Sequence, residues 1–226
     1  MDYARAIRRN RDQLRTIVLA LFALARIRVG GSLFFLPRST FALIMLVLRP
    51  AESCVRRLIV IAAHSLVLKP QKPRDFVILG HRAEDPVSAM PNGIIPTRAF
   101  KLFDPLKSFD PQSIWDAEPT WESGFDFART GSTFEKAETT LDATHLGQRL
   151  NALMRALDNL PAQAHRLVRW QSKRDAALKA CKPTRMSPMR PGLPPGWRER
   201  KIHEIDDVLR ECHGLANDLL NAPDTS

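Results

Sequence analysis

The sequence predicts a mainly α-helical fold on three observations. Thr40–Leu68 holds the most continuous apolar surface in the chain, enough to nucleate a core that other segments must cover. Leu146, Leu150, Leu153, Leu157 and Leu160 alternate steps of four and three, the spacing of a coiled-coil-like seam. Ile202, Ile205, Leu209, Cys212, Ala216 and Leu219 form one helical stripe near the end of the chain. The expected architecture is N-terminal apolar helices, a small antiparallel β-hairpin, a long acidic loop, a C-terminal helical hairpin and a final amphipathic helix.

Composition divides the 226 residues into segments of alternating sign. Residues 1–70, an apolar basic helical segment, carry a net +9, and residues 71–145, covering the hairpin and acidic loop expected over 71–144, carry −4. The helical hairpin over 145–181 and the Pro-rich linker over 182–201 belong to a block of +10 (residues 146–201), and the C-terminal helix and tail, 202–226, carry −5. The whole chain is +10, which favours an acidic partner, nucleic acid or anionic lipid. Basic and acidic blocks can also pair with each other inside the fold. Seventeen prolines against ten glycines imply much irregular backbone.

The N-terminal segment raises a membrane question. Arg5, Arg8, Arg9, Arg11 and Arg15 precede the apolar run Ile17–Ala25, as in the first two regions of a signal peptide. Ala23 and Ala25 lie inside that run, however, and Arg26 and Arg28 follow at once, so the segment reads as retained. A spanning helix needs about 20 apolar residues. Arginines interrupt every run here well before that, and each would cost about 2.5 to 3.5 kcal/mol at mid-bilayer. The soluble reading has Asp2 capping a helix to about Ile27, Gly30 stopping it, and Ser39 or Thr40 capping a second helix to Leu48. Pro50 breaks that helix and starts a third, in which Val55, Leu58, Ile59, Ala62, Ala63 and Leu66 share a face and Arg56 and Arg57 sit on its flank. The same apolar faces with arginines also suit a helix lying in a membrane interface, so peripheral or integral attachment through residues 1–68 stands as the alternative.

In the middle of the chain, Asp75–Gly80 and Arg98–Asp104 read as two strands with turn chemistry at Pro91, Asn92 and Gly93 between them. Residues 105–139 are acidic and without period; Trp115, Trp121, Phe125 and Phe127 are expected to anchor that loop on the core. Farther on, Asp142–Leu160 and Ala162–Ala180 read as two helices separated by Pro161, self-packed or docked on a second copy through Leu146, Leu150, Leu153 and Leu157.

The polar side of that hairpin carries Arg166, Arg169, Lys173 and Arg174, and the linker adds Arg185, Arg190, Arg198 and Arg200. The linker's five prolines favour polyproline-like extension, suited either to tracking phosphates or to acting as a solvated tether. In the last helix Glu204, Asp206, Asp207 and Glu211 are placed on the outer face, and its acidity beside the linker suggests that it folds back over the basic hairpin. The segment PGLPPGWRERKIHEIDDVLRECHGLA, about a tenth of the chain, resembles a stretch of uncharacterised bacterial proteins; the resemblance implies no activity.

Catalytic chemistry has little support. No G-x-S-x-G, P-loop or G-x-G-x-x-G occurs. His81 and Asp85 follow a predicted strand, where sites often sit and where any polar turn looks the same. His203, Asp207, Cys212 and His213 lack the spacing of a metal site, and three cysteines far apart do not suggest a disulfide framework, which favours a reducing compartment. The reading is therefore a cytoplasmic, non-enzymatic binding protein, without a cofactor, that engages nucleic acid through the eight basic residues named above. Attachment to the inner face of the cell membrane is the alternative, and an enzyme of unknown reaction the second alternative.

Overall fold

The structure, a computed structural model, describes residues 2–64, 66, 99–105, 140–182, 185 and 187–221. Among them are five helices, α1 (Tyr3–Leu24), α2 (Arg38–His64), α3 (Thr144–Asp158), α4 (Leu160–Lys179) and α5 (Glu204–Asn221), and two short strands, β1 (Phe35–Pro37) and β2 (Thr140–Asp142). The fold is mainly helical with a small antiparallel sheet, as the periodicities predict.

Helix α2 is the hub, and α1, α3, α4 and α5 all pack on it. Every residue from Ser53 to Ile61 is buried, so this stretch has no solvent face at all. A helix surrounded in this way must be apolar all round or must pair its polar groups. Among the described residues, one hydrophobic cluster joins Leu14 and Phe22 of α1, Leu58 and Ile59 of α2, Leu150 and Leu157 of α3, Leu167 of α4, and Leu209 and Ala216 of α5.

Three N-terminal helices were expected and two are present, because Pro50 lies inside α2 without ending it. Proline removes the amide that would bond the carbonyl four residues back and crowds that carbonyl. Here the orphaned group is the Leu46 carbonyl, and it accepts a hydrogen bond from the Arg198 guanidinium. Beside it, Gly196 presses on the proline: a Cβ there would stand 2.7 Å from the Pro50 nitrogen, and its φ of +82° also requires glycine. Ser53 Oγ donates to the Pro195 carbonyl at 2.7 Å. Residues 187–201 thus cross α2 as a pinned strap, with Pro188, Met189 and Pro194 buried, and not as a solvated extension.

Asp2 caps α1, accepting from the Arg5 amide, and the helix ends before Gly30. The Ile27 amide bonds the Phe22 carbonyl and the Arg26 amide bonds the Ala23 carbonyl, with Arg26 at φ 54°. This is a Schellman closure with arginine where glycine is usual. Asn151 of α3 then clamps the connection, accepting from the Gly30 amide and donating to the Gly31 carbonyl at 2.8 and 2.9 Å.

The sheet is not the predicted hairpin. β1 and β2 pair antiparallel, Phe35 opposite Asp142 and Pro37 opposite Thr140. Residues 99–104 are not a strand because their backbone groups are taken elsewhere. The Phe100 carbonyl accepts from Arg166, the Lys101 carbonyl from Arg56, and the Asp104 amide donates to the Pro188 carbonyl. The expected strand Asp75–Gly80, the turn at Pro91–Gly93, and Trp115, Trp121, Phe125 and Phe127 lie outside the described residues.

The leucine seam is present but faces inward. Leu146, Leu150, Leu153 and Leu157 are buried within this chain, where α3 meets α1 and α2, so they offer no surface to a second copy. Pro161 stands at the start of α4, whose N-cap Asn159 accepts from the Ala162 amide at 3.3 Å. The two helices pack on α1 and α2 more than on each other.

Candidate nucleic-acid interface

Helix α4 buries only Leu160, Ala164 and Leu167, all in its first half. Val168 and Trp170 pack partly against the core, and residues 160–182 carry six Lys/Arg and one acid. Arg166, Arg169, Trp170 and Lys173 fall at successive steps of three, one and three and so share one helix face. The side chains of Arg166, Arg169 and Lys173 are exposed. Arg166 also donates to Gln163 Oε1 at 2.8 Å, and Arg169 Nε donates to the His165 carbonyl at 3.3 Å. Such local bonds orient the guanidinium groups while leaving further donors toward solvent.

Trp170 is no open stacking platform. It stands edge-on to Phe103 with ring centroids 4.8 Å apart, and Arg174 covers it at 5.5 Å while donating to Asp175 at 2.7 Å. Arg174 therefore belongs to the edge of the basic face, partly neutralised.

The linker residues have different roles. Arg185 donates to the Ser187 and Asp104 carbonyls at 2.8 and 2.9 Å and lies over the Phe103 ring. Arg190 donates to the Leu193 carbonyl at 2.8 Å through Nε and to Asp104 through its amide. Arg198 bridges the Leu46 carbonyl and the buried Asp206, at 3.1 Å from the latter. These three hold the strap on the core, and only Arg200 of the linker set is exposed. The eight candidates thus separate into an outward set, the four residues on α4 with Arg200, and an inward set, Arg185, Arg190 and Arg198 on the strap.

Sequence reasoning missed a buried charge cluster beneath this surface. Arg57 and Asp104 are fully buried and paired at 3.0 Å. Arg56 pairs with the same carboxylate and with Glu52, both at 3.3 Å, and Arg149 pairs with Glu52 at 2.9 Å. Neither Arg56 nor Arg57 lies on a solvated flank, as periodicity alone suggests. Burial pushes the Arg56 pKa down from its usual value, against the opposing pull of Glu52 and Asp104. The sequence signal was the four-residue step from Glu52 to Arg56; the deciding partner, Asp104, is remote in sequence.

His213 completes this cluster. Its Nδ1 accepts from Arg57 Nε at 3.3 Å, its ring meets Trp197 edge-on, and its Nε2 faces the Asn217 amide at 3.2 Å. Burial first, and the Arg57 charge second, lower its pKa, while Asp104 raises it. Cys54 and Cys212 are buried free thiols, and burial raises the Cys54 pKa well above normal, reinforced by its neighbour Cys212.

Helix α5 packs chiefly on α2 and α1, not over the basic hairpin. Of the four acids assigned to its outer face, Asp206 is buried, accepting from the Ile202 and His203 amides at 2.9 and 3.1 Å, and Glu211 bridges to Arg9. His203 Nδ1 accepts from the Ile205 amide at 3.1 Å and so caps the helix. A groove of about 460 Å³ lined by Thr16, Ile17, Ala20 and residues 201–204 is open to solvent. Among the described residues no three His, Cys, Asp or Glu side chains converge as metal ligands would. Nor is any described helix long and apolar enough to cross a membrane. His81 and Asp85 lie outside the described residues.

Compared with protein-family models, with curated proteins and with solved structures, the chain matches none.

Proposed function

We propose that the chain is a non-catalytic binding protein that engages the phosphate backbone of nucleic acid through the exposed face of α4. The observation that carries this reading is the row Arg166, Arg169 and Lys173, exposed on a helix that fully buries no side chain beyond Leu167. Cations left in water at such spacing cost the fold little and are free to displace counterions from a polyanion. The strap cations Arg185 and Arg198 leave this set, because their donors are spent on the protein's own carbonyls and carboxylates. Arg190, bound to Leu193 and Asp104, leaves it too, and exposed Arg200 stays as a flanking contributor. A backbone contact of this kind is sequence-tolerant, since phosphate contacts position a duplex without reading its bases.

The test is the salt dependence of binding to a fluorescent DNA duplex, followed by anisotropy with the full-length protein. Each phosphate contact contributes about 0.9 to the slope of log K against log salt. Replacing Arg169→Gln together with Lys173→Gln lowers that slope by about 1.8 on this reading. An unchanged slope and affinity in that variant removes α4 as the interface.

A further inference from the structure

We infer that the connection between α1 and α2 forms a second docking surface, for an anionic phospholipid bilayer. Six of the ten exposed large apolar side chains among the described residues fall between Leu19 and Leu43. Phe35 is 69% exposed, Phe34 58%, Leu43 53% and Val29 52%, values unusual for residues on a well-packed domain. The same stretch carries an unbalanced charge. From residue 13 to residue 51 there are five arginines and no acid, and Arg26, Arg28 and Arg38 are exposed among these apolar groups.

The backbone holds this arrangement in place. Leu33 and Leu36 occupy buried sites on either side of Phe34 and Phe35. Leu33 is seated so closely on α3 that a Cβ on Gly147 would stand 2.8 Å from its own Cβ. The Ala143 amide donates to the Phe34 carbonyl at 2.7 Å, β2 pairs with β1, and Asn151 clamps Gly30 and Gly31. The phenylalanines therefore have no inward site to fold into, because their neighbours fill it. Asp142, the acid opposite Phe35, is already engaged by the Thr144 amide at 2.8 Å.

Aromatic and aliphatic side chains projecting from a rigid edge, flanked by Arg26, Arg28 and Arg38 with Asp142 the acid opposite Phe35, match the interface of an anionic membrane. The apolar groups enter the acyl boundary while the guanidinium groups stay with the phosphates. This surface is separate from α4 and does not depend on the reading proposed for it.

Co-sedimentation of the full-length protein with vesicles of phosphatidylserine and phosphatidylcholine tests this, against vesicles of phosphatidylcholine alone. The expected result is binding to the anionic vesicles only. Phe34→Ser with Phe35→Ser should weaken it more than tenfold, and Arg28→Gln or Arg38→Gln about fivefold each, with the helical circular dichroism unchanged. Because the replaced side chains are exposed, loss of fold is not expected; a surface Leu178→Ser variant serves as the reference for nonspecific loss. No sedimentation with anionic vesicles overturns the proposal, as does binding that survives the phenylalanine pair. A dimer that the pair converts to monomer, without vesicle binding, assigns the surface to a second copy and also overturns it. Loss of vesicle binding in the Arg169→Gln, Lys173→Gln variant, with the phenylalanine pair silent, would transfer lipid binding to α4.

Discussion

Among the described residues, His213 couples pH to the buried charge cluster. Its folded pKa lies below the usual histidine value because burial and Arg57 disfavour the imidazolium. The unfolded chain therefore binds a proton at a pH where the native state does not. Stability is unaffected well above the unperturbed value of about 6.5 and declines as pH falls through and below it. Protonation also takes the Nδ1 lone pair from Arg57 Nε, loosening the cluster that holds Asp104. The urea midpoint should fall on acidification across this window, and the fall should shrink in His213→Gln. An equal fall in that variant would place the sensitivity at other groups. None of this pairing was legible at residue scale, since the imidazole and its guanidinium partner are 156 positions apart.

At the scale of the element, α2 shows how a local rule fails for a stated reason. Proline at position 50 predicts a helix end, and about 3 kcal/mol opposes continuing through it. The helix continues because Arg198, 152 residues away from Leu46, fills the vacated carbonyl, and because Gly196 leaves room for the ring. Two long-range partners are invisible to any window along the sequence. Their coupling is measurable. Arg198→Ala should destabilise by about 3 kcal/mol, because it removes the counter-charge of the buried Asp206 carboxylate, which keeps only its amide donors, as well as the partner of the Leu46 carbonyl. In a Pro50→Ala background the amide of residue 50 can bond Leu46 itself, so the same substitution should cost about 1 kcal/mol less. Equal costs in the two backgrounds would show that the carbonyl is satisfied in some other way. The helices themselves were legible because their apolar periods survive packing. The seam of α3 and most of the α5 stripe follow from the sequence, Leu150, Leu153, Leu209 and Cys212 included, whereas Ile202, the first residue of that stripe, lies before α5 and is 52% exposed. What faces them was not, and so a seam that resembled a dimer interface proved to be the chain's own core.

Over the whole molecule, positive charge is divided between the core and the surface. Composition announces +10 but not its direction. Arg56, Arg57, Arg185 and Arg198 turn inward and satisfy carbonyls and carboxylates, and the cost of burying them is met by Asp104, Glu52 and Asp206. Arg166, Arg169 and Lys173 turn outward; Arg169 and Lys173 make no bond to the core, and Arg166 alone reaches back to the Phe100 carbonyl. The candidate site was thus half legible. The α4 residues follow from helical spacing, whereas the strap residues were counted with them because proline-rich basic sequence looks like an open tether until its partners are known.

The most direct measurement compares two double variants in two assays, the salt slope of duplex binding and the urea midpoint. The account predicts that Arg169→Gln with Lys173→Gln lowers the slope by about 1.8 and leaves the midpoint in place. Arg185→Gln with Arg198→Gln, by contrast, should lower the midpoint sharply while native protein keeps its slope. The reverse pattern, a stable strap variant that has lost phosphate contacts beside an α4 variant that binds as before, would contradict it.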